Sequence, residues 1–235
     1  MIDVIPAIIP KTFSELNQKL ALVAGVAAIV HIDIEDGIMT MEKTWPNINN
    51  PDSDFVKIIR EEEAFPYSED VEYEIHLMVR DPASYIQQWI SAGAVRIIVH
   101  IESFESTEKA LAFVRNFHDQ YGGDGSYLVT EIGMAINLKT PIESLTGIIE
   151  EVDFVQCMDI DDIGSQGQPF NVKVIDRVRE LRILYPDLVL SVDGGITVET
   201  GQMLVDAGVD RLVVGSTIFN DRNPERVIET LENLV

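Results

Sequence analysis

Short apolar runs rich in Val, Ile and Leu recur at roughly 30-residue intervals along this chain, and stretches of helical period lie between them. The strand candidates are Val4–Ile9, Ala27–Ile34, Tyr73–Leu77, Val95–His100, Tyr127–Ala135, Phe154–Met158, Leu188–Val192 and Arg211–Val214. Amphipathic segments cover Phe13–Val23, Pro82–Ser91, Ser106–His118, Val172–Leu184, Val198–Asp206 and Pro224–Leu234, with weaker ones at Asp54–Glu63 and Ile142–Glu150. Strands that read as continuous apolar runs are those covered on both faces, as in parallel sheets. Eight such strands, each followed by a helix, predict an α/β fold of the closed (β/α)8 TIM-barrel type. The alternative, a doubly wound open sheet, lacks a Gly-x-Gly-x-x-Gly after the first strand. No linker, charge block or low-complexity tract divides residues 1–235, so one domain is expected. Thr44–Asp54 reads as a loop after strand two, and Gly122–Ser126 as a turn into strand five.

Forty acidic residues against 17 basic ones give a net charge of −23. Nucleic acids and anionic membrane surfaces both need a positive footprint, so neither is expected as a partner. No apolar run approaches the roughly 20 residues that span a bilayer, and the first residues carry no basic stretch of a secretory signal. A cytoplasmic location is the expectation. The single cysteine, Cys157, lies inside an apolar run and reads as a buried hydrophobe rather than a nucleophile.

The chemistry lies at strand ends. In Ile29-Val-His-Ile-Asp-Ile-Glu-Asp-Gly37, His31 and Asp33 are two apart and so share one face of a strand. His76 in Ile75-His-Leu-Met78 and Asp193 in Ser191-Val-Asp-Gly-Gly-Ile196 end two further runs. A barrel brings the C-terminal ends of its strands to one rim, where active sites sit. Two imidazoles and two carboxylates there suit one divalent metal, and the carboxylates also suit proton transfer. A hydrated polar rim without metal is the competing reading.

Seven segments then carry a resemblance to the ribulose-phosphate 3-epimerases: Ile5-Pro-Ala-Ile-Ile9, His31-Ile-Asp-Ile-Glu-Asp-Gly37, Glu74-Ile-His-Leu-Met-Val79, Val99-His-Ile-Glu102, Gly133-Met-Ala-Ile-Asn137, Val192-Asp-Gly-Gly-Ile196 and Gly215-Ser-Thr-Ile-Phe219. Their order and spacing together are specific and run nearly end to end. The resemblance implies a phosphate-binding barrel in which His31, Asp33, His76 and Asp193 hold one metal ion, with Asp33 and Asp193 as paired acid and base. Zinc, iron(II), cobalt and manganese all suit that donor set. It implies interconversion of D-ribulose 5-phosphate and D-xylulose 5-phosphate through an enediolate, a sugar-phosphate substrate, and assembly into homo-oligomers. Backbone amides at Gly194, Gly195, Gly215 and Ser216 would hold the phosphate locally, against the long-range negative field. Met78 and Met158 match methionines beneath the family's metal site, though core filling explains them on residue type alone. His100 and Glu102 match the family pattern and read as structural polar residues.

The chain also departs from that pattern. Ala7 stands where the family has serine, Glu35 where it has methionine, and the segment Ile38–Trp45 is altered. After strand six the family's Asn-Pro-Gly-Phe-Gly-Gly-Gln loop is replaced by Met158-Asp-Ile-Asp-Asp-Ile-Gly-Ser-Gln-Gly-Gln168. Gly164, Gly167 and Gln168 retain amides for a lid. Asp159, Asp161 and Asp162, however, bring negative charge toward the expected phosphate, at a cost on the order of 1 kcal/mol each. Two alternatives follow: an epimerase of a different ketose or ketose phosphate, or a non-catalytic sugar-phosphate binding protein.

Overall fold

The computed structural model describes residues 2–121, 129–160, 163–164 and 167–235. Eight parallel strands close into a barrel in chain order: β1 (Asp3–Ile8), β2 (Ile29–Glu35), β3 (Glu72–Met78), β4 (Arg96–His100), β5 (Glu131–Ile136), β6 (Phe154–Met158), β7 (Val189–Asp193) and β8 (Arg211–Val214), with β8 pairing back onto β1. The register sets the site: Asp33 pairs with His76 across β2 and β3, and Met158 with Asp193 across β6 and β7.

Alternation along each strand separates two environments. Val30, Ile32 and Ile34 of β2, like Ile75 and Leu77 of β3, are fully buried in the layer between barrel and helices. Their neighbours His31, Asp33 and Glu35, and Glu74, His76 and Met78, share the opposite, inward face. Burial on both faces is why these strands contain so few exposed residues. The barrel interior is therefore partly ionic. Arg96 donates to Glu131 at 2.6 Å and to Glu74 at 3.4 Å, and the Arg211 guanidinium lies 4.7 Å from the Phe154 ring.

Helices α1 (Phe13–Val23), α2 (Ser53–Ile59), α3 (Ile86–Ser91), α4 (Thr107–Tyr121), α5 (Lys173–Leu184), α6 (Val198–Ala207), α7 (Ser216–Phe219) and α8 (Pro224–Glu232) surround the barrel. Local chemistry fixes their ends. Thr12 caps α1 through the Glu15 amide, and Thr197 and Thr200 form a reciprocal capping box on α6. Gly208 ends α6 at φ +98°, a conformation glycine adopts without steric cost. Trp45, at the end of the altered segment after β2, packs edge-on against Phe55 and Phe65, and Phe55 packs at a tilt against Trp89.

Two expected helices differ. Ile142–Glu150 is a pair of 3-10 turns, Ile142–Leu145 and Ile149–Glu151, because Gly147 sits at φ +77° between them and interrupts the α-helical ladder. Pro82–Ser91 begins as a 3-10 turn, Pro82–Ser84, and becomes α3 only beyond Tyr85. The strand positions hold to within a few residues; β5 begins at Glu131, whereas its expected start at Tyr127, with the turn Gly122–Ser126, lies outside the described residues. Among the described residues no helix is long and apolar enough to cross a membrane.

Candidate active site

Strands β2, β3 and β7 deliver His31, Asp33, His76 and Asp193 to one buried point, where one ligand atom from each lies within 4.8 Å of all the others. Oδ1 of Asp33 is 3.2 Å from Nε2 of His31 and 2.9 Å from Nδ1 of His76. Oδ2 of Asp193 is 3.9 Å and 3.7 Å from the same two nitrogens. Ligands about 2.0–2.1 Å from a common ion are separated by roughly 3–3.4 Å, so this donor set fits a small divalent cation with little movement.

Each histidine is gripped from behind. Nδ1 of His31 lies 2.7 Å from Oε1 of Glu74, a side chain that also meets Arg96. A proton on Nδ1 directed at Glu74 leaves the Nε2 lone pair of His31 facing the cluster. His76 presents Nδ1 to the cluster, and its Nε2 is 2.8 Å from Nε2 of His100. Sequence reading passed over Glu74, although its position two before His76 on one strand face was the available signal. His100 and Glu102 do not line the central cavity but lie behind His76.

The two carboxyls are driven apart in proton affinity. Burial raises both, but the adjoining His31 and His76 outweigh it at Asp33 and hold that group well below the usual carboxylate range. Asp193 gains less from the histidines; burial and the charge of Asp33 push it up to about 7. The Nε2 amide of Gln156 donates to Asp193 Oδ2 at 3.3 Å. A pair of carboxyls separated in this way can hold one proton and exchange it. A bound dication would favour the ionised form of both.

Above this cluster lies a cavity of about 40 Å³, whose lining includes Ala7, Asp33, Met78, Met158 and Asp193. Gly167 and all four expected amide positions, Gly194, Gly195, Gly215 and Ser216, also line it. Met78 and Met158 thus form part of the cavity wall. Gly194 and Gly195 take φ of +117° and +50°, and a side chain on Gly195 would meet the Phe170 backbone at 2.7 Å. Ala7 brings no hydroxyl to this wall.

The charge expected of Asp159 is largely removed by its surroundings. The side chain is fully buried, and among the described residues neither carboxyl oxygen has a hydrogen-bond partner. Burial, then the charge of Asp193, pushes it up to about 9, so it is carried neutral at pH 7. Glu35 behaves similarly, pushed up to about 7 by burial and by Asp33. Asp161 and Asp162 lie outside the described residues. Cys157 is buried and its thiol is pushed up to about 12, as an inert core residue requires.

The profile of the Ribulose-phosphate 3 epimerase family matches residues 3–219. The chain belongs to the ribulose-phosphate 3-epimerase family. Ribulose-phosphate 3-epimerase of Schizosaccharomyces pombe is 31% identical over 235 residues, covering 98% of this chain and 92% of its own. The Bacillus subtilis ribulose-phosphate 3-epimerase is 26% identical and covers 98% of both. Among solved structures, 3-hexulose-6-phosphate synthase from Salmonella typhimurium superposes with a TM-score of 0.67 at 16% identity, over 99% of this chain and 98% of the other. Orotidine 5'-monophosphate decarboxylase from Sulfolobus solfataricus gives 0.61 at 13%, over 98% and 96%. At those identities the structural likeness is one of fold.

Proposed function

We propose that this family member is a metal-dependent ketose-phosphate epimerase, interconverting D-ribulose 5-phosphate and D-xylulose 5-phosphate. The observation that carries the reading is the convergence of Asp33 and Asp193 beside two histidines at one buried point. Epimerisation at the carbon beside a ketone removes a proton from one face and returns one to the other. One of Asp33 and Asp193 is placed to abstract the proton and the other to return one on the opposite face, and the roles exchange in reverse. His31, Asp33, His76 and Asp193 would hold the cation, which when bound supplies a Lewis acid for the negative charge that develops on the substrate oxygens.

Backbone amides at Gly194, Gly195, Gly215 and Ser216 would receive the phosphate, and the absence of side chains at the glycines permits close approach. A neutral Asp159 lessens the repulsion this site would otherwise meet. A cavity of about 40 Å³ holds only a few waters, at roughly 10–15 Å³ each. Admission of a sugar phosphate would require the walls of this cavity to part.

A second reading keeps the chemistry and changes the ketose. It is favoured by Ala7 on the cavity wall and by an adjoining cavity of about 630 Å³, lined in part by Thr40, Arg80, Glu102 and Asn137. Turnover of D-ribulose 5-phosphate by metal-loaded protein, compared with other ketose phosphates and with unphosphorylated ketoses, separates the two. Competitive inhibition by inorganic phosphate is expected wherever the phosphate site is used. Lack of turnover of every ketose would leave only a binding role.

A further inference from the structure

Behind His76 a single file of polar groups runs away from the cavity. Its Nε2 lies 2.8 Å from Nε2 of His100, and the two rings are nearly parallel at 18°. Nδ1 of His100 lies 3.1 Å from Oε2 of Glu102. The other oxygen of Glu102 accepts from the Asn137 backbone N–H at 2.9 Å and from the Thr140 hydroxyl. Glu102 is thus fixed from the β5 side, and both histidine rings are fully buried.

A nitrogen–nitrogen contact of 2.8 Å requires one ring to donate and the other to accept. When the Nδ1 lone pair of His76 faces a cation, the ring's one proton must sit on Nε2. That proton is donated to Nε2 of His100, so the proton of His100 must sit on Nδ1 and be donated to Glu102. Every atom in the file then has a partner, and the direction is set at its far end by an acceptor that has no proton to give.

We propose that His100 and Glu102 are positioning residues: the one-way chain from His76 through His100 to Glu102 keeps the Nδ1 lone pair of His76 open to the metal. The inference rests on the metal-site reading above. It makes an unusual demand of the substitution Glu102→Gln. The amide oxygen can stay beneath Asn137 and Thr140, which turns the NH₂ toward Nδ1 of His100. His100 must then accept there and donate from Nε2, and His76 is left with its proton on Nδ1, 2.9 Å from Asp33. That reversed network is fully hydrogen-bonded without metal, so the variant should fold and yet resist loading. The logic parallels the loss caused in serine proteases when a buried aspartate that fixes a histidine tautomer becomes asparagine.

The experiment compares zinc affinity, by competition with a chromogenic chelator, in the parent protein and in Glu102→Gln. Long-range ¹H–¹⁵N NMR of the imidazole nitrogens and thermal melts of the metal-free forms accompany it. Expected are zinc affinity reduced 10- to 100-fold, an unchanged metal-free melt, and a His76 proton moved from Nε2 in the zinc-loaded parent to Nδ1 in the metal-free variant. Equal affinity in the two proteins would overturn the inference and leave the metal reading intact. Reduced affinity with the His76 proton still on Nε2 would overturn it as well, since charge alone would then explain the loss. A parent that binds no zinc or other divalent ion would remove the metal reading and the inference together. Should the variant fail to fold, the zinc-loaded parent still decides: a proton on Nε2 of His100 rather than Nδ1 contradicts the chain.

Discussion

Oδ2 of Asp193 lies 3.7 Å from Nδ1 of His76, the same nitrogen that Asp33 approaches to 2.9 Å. Two strands from opposite sides of the barrel thereby aim their carboxyls at one imidazole edge. If these two carboxyls move the proton, Asp33→Asn and Asp193→Asn should each reduce kcat by 10²- to 10⁴-fold. Asp33→Asn should also weaken metal binding, because it replaces the anionic carboxylate nearest both histidines with a neutral amide. Steady-state kinetics with metal content measured on the same samples checks both statements.

Asp159 gives a pH dependence of stability whose sign is set by its raised proton affinity. Below pH 4 the group is neutral in both folded and unfolded chains and costs nothing. Between pH 4 and its folded value of about 9 the unfolded chain ionises while the folded one does not, so stability falls as pH rises. Asp193 and Glu35, both pushed up to about 7, act in the same direction over a narrower window. His76, lowered to about 4, acts oppositely, but only up to roughly pH 6.5. Asp159→Asn should therefore change the melting of metal-free protein little at pH 4 and raise it most at pH 8–9, by on the order of a few kcal/mol. Melts across that range, with a chelator present, read it out.

Gly194→Ala should disable phosphate binding more than folding. A β-carbon there collides with the Asp159 carboxyl, and φ of +117° is a region that side chains rarely occupy. The strain should cost about 1–3 kcal/mol of stability. The expected kinetic signature is a raised KM for sugar phosphate and weaker inhibition by inorganic phosphate. Gly195→Ala, which meets the Phe170 backbone, should behave alike.

Removing the metal should destabilise the fold, because two buried carboxyls and two imidazoles from three strands then lose the ion that would balance their crowded charge. Loading with ion at 100-fold over its dissociation constant should add about 2.7 kcal/mol. Glu74→Ala, which frees His31 and leaves Arg96 facing a void, should lower both that gain and the stability of the metal-free protein. Calorimetry at graded zinc concentrations measures each effect.

The barrel was legible because strand burial on both faces writes itself as apolar runs, and the four-residue cluster was legible because strand alternation and rim geometry leave His31, Asp33, His76 and Asp193 few other places to meet. What supports them was harder to read. The partnership of His31 with Glu74 joins residues 43 apart, and only strand register reveals which inward neighbours touch. Asp159 shows a different limit. As a residue type it announced negative charge near the expected phosphate; its burial with no hydrogen-bond partner among the described residues, which pushes its proton affinity up, depends on how the chain turns after Met158. Gly147 carries a further lesson, since the apolar spacing of Ile142–Glu150 outlined a helix that a single positive φ divides.

Incubation of metal-loaded protein with D-ribulose 5-phosphate in deuterated water, followed by proton NMR, bears most directly on the two-carboxylate epimerase. Such an enzyme should yield D-xylulose 5-phosphate carrying deuterium at carbon 3, with formation of that product reduced at least 10²-fold in Asp193→Asn. Neither epimer nor exchange from protein of confirmed metal content would contradict it for this substrate.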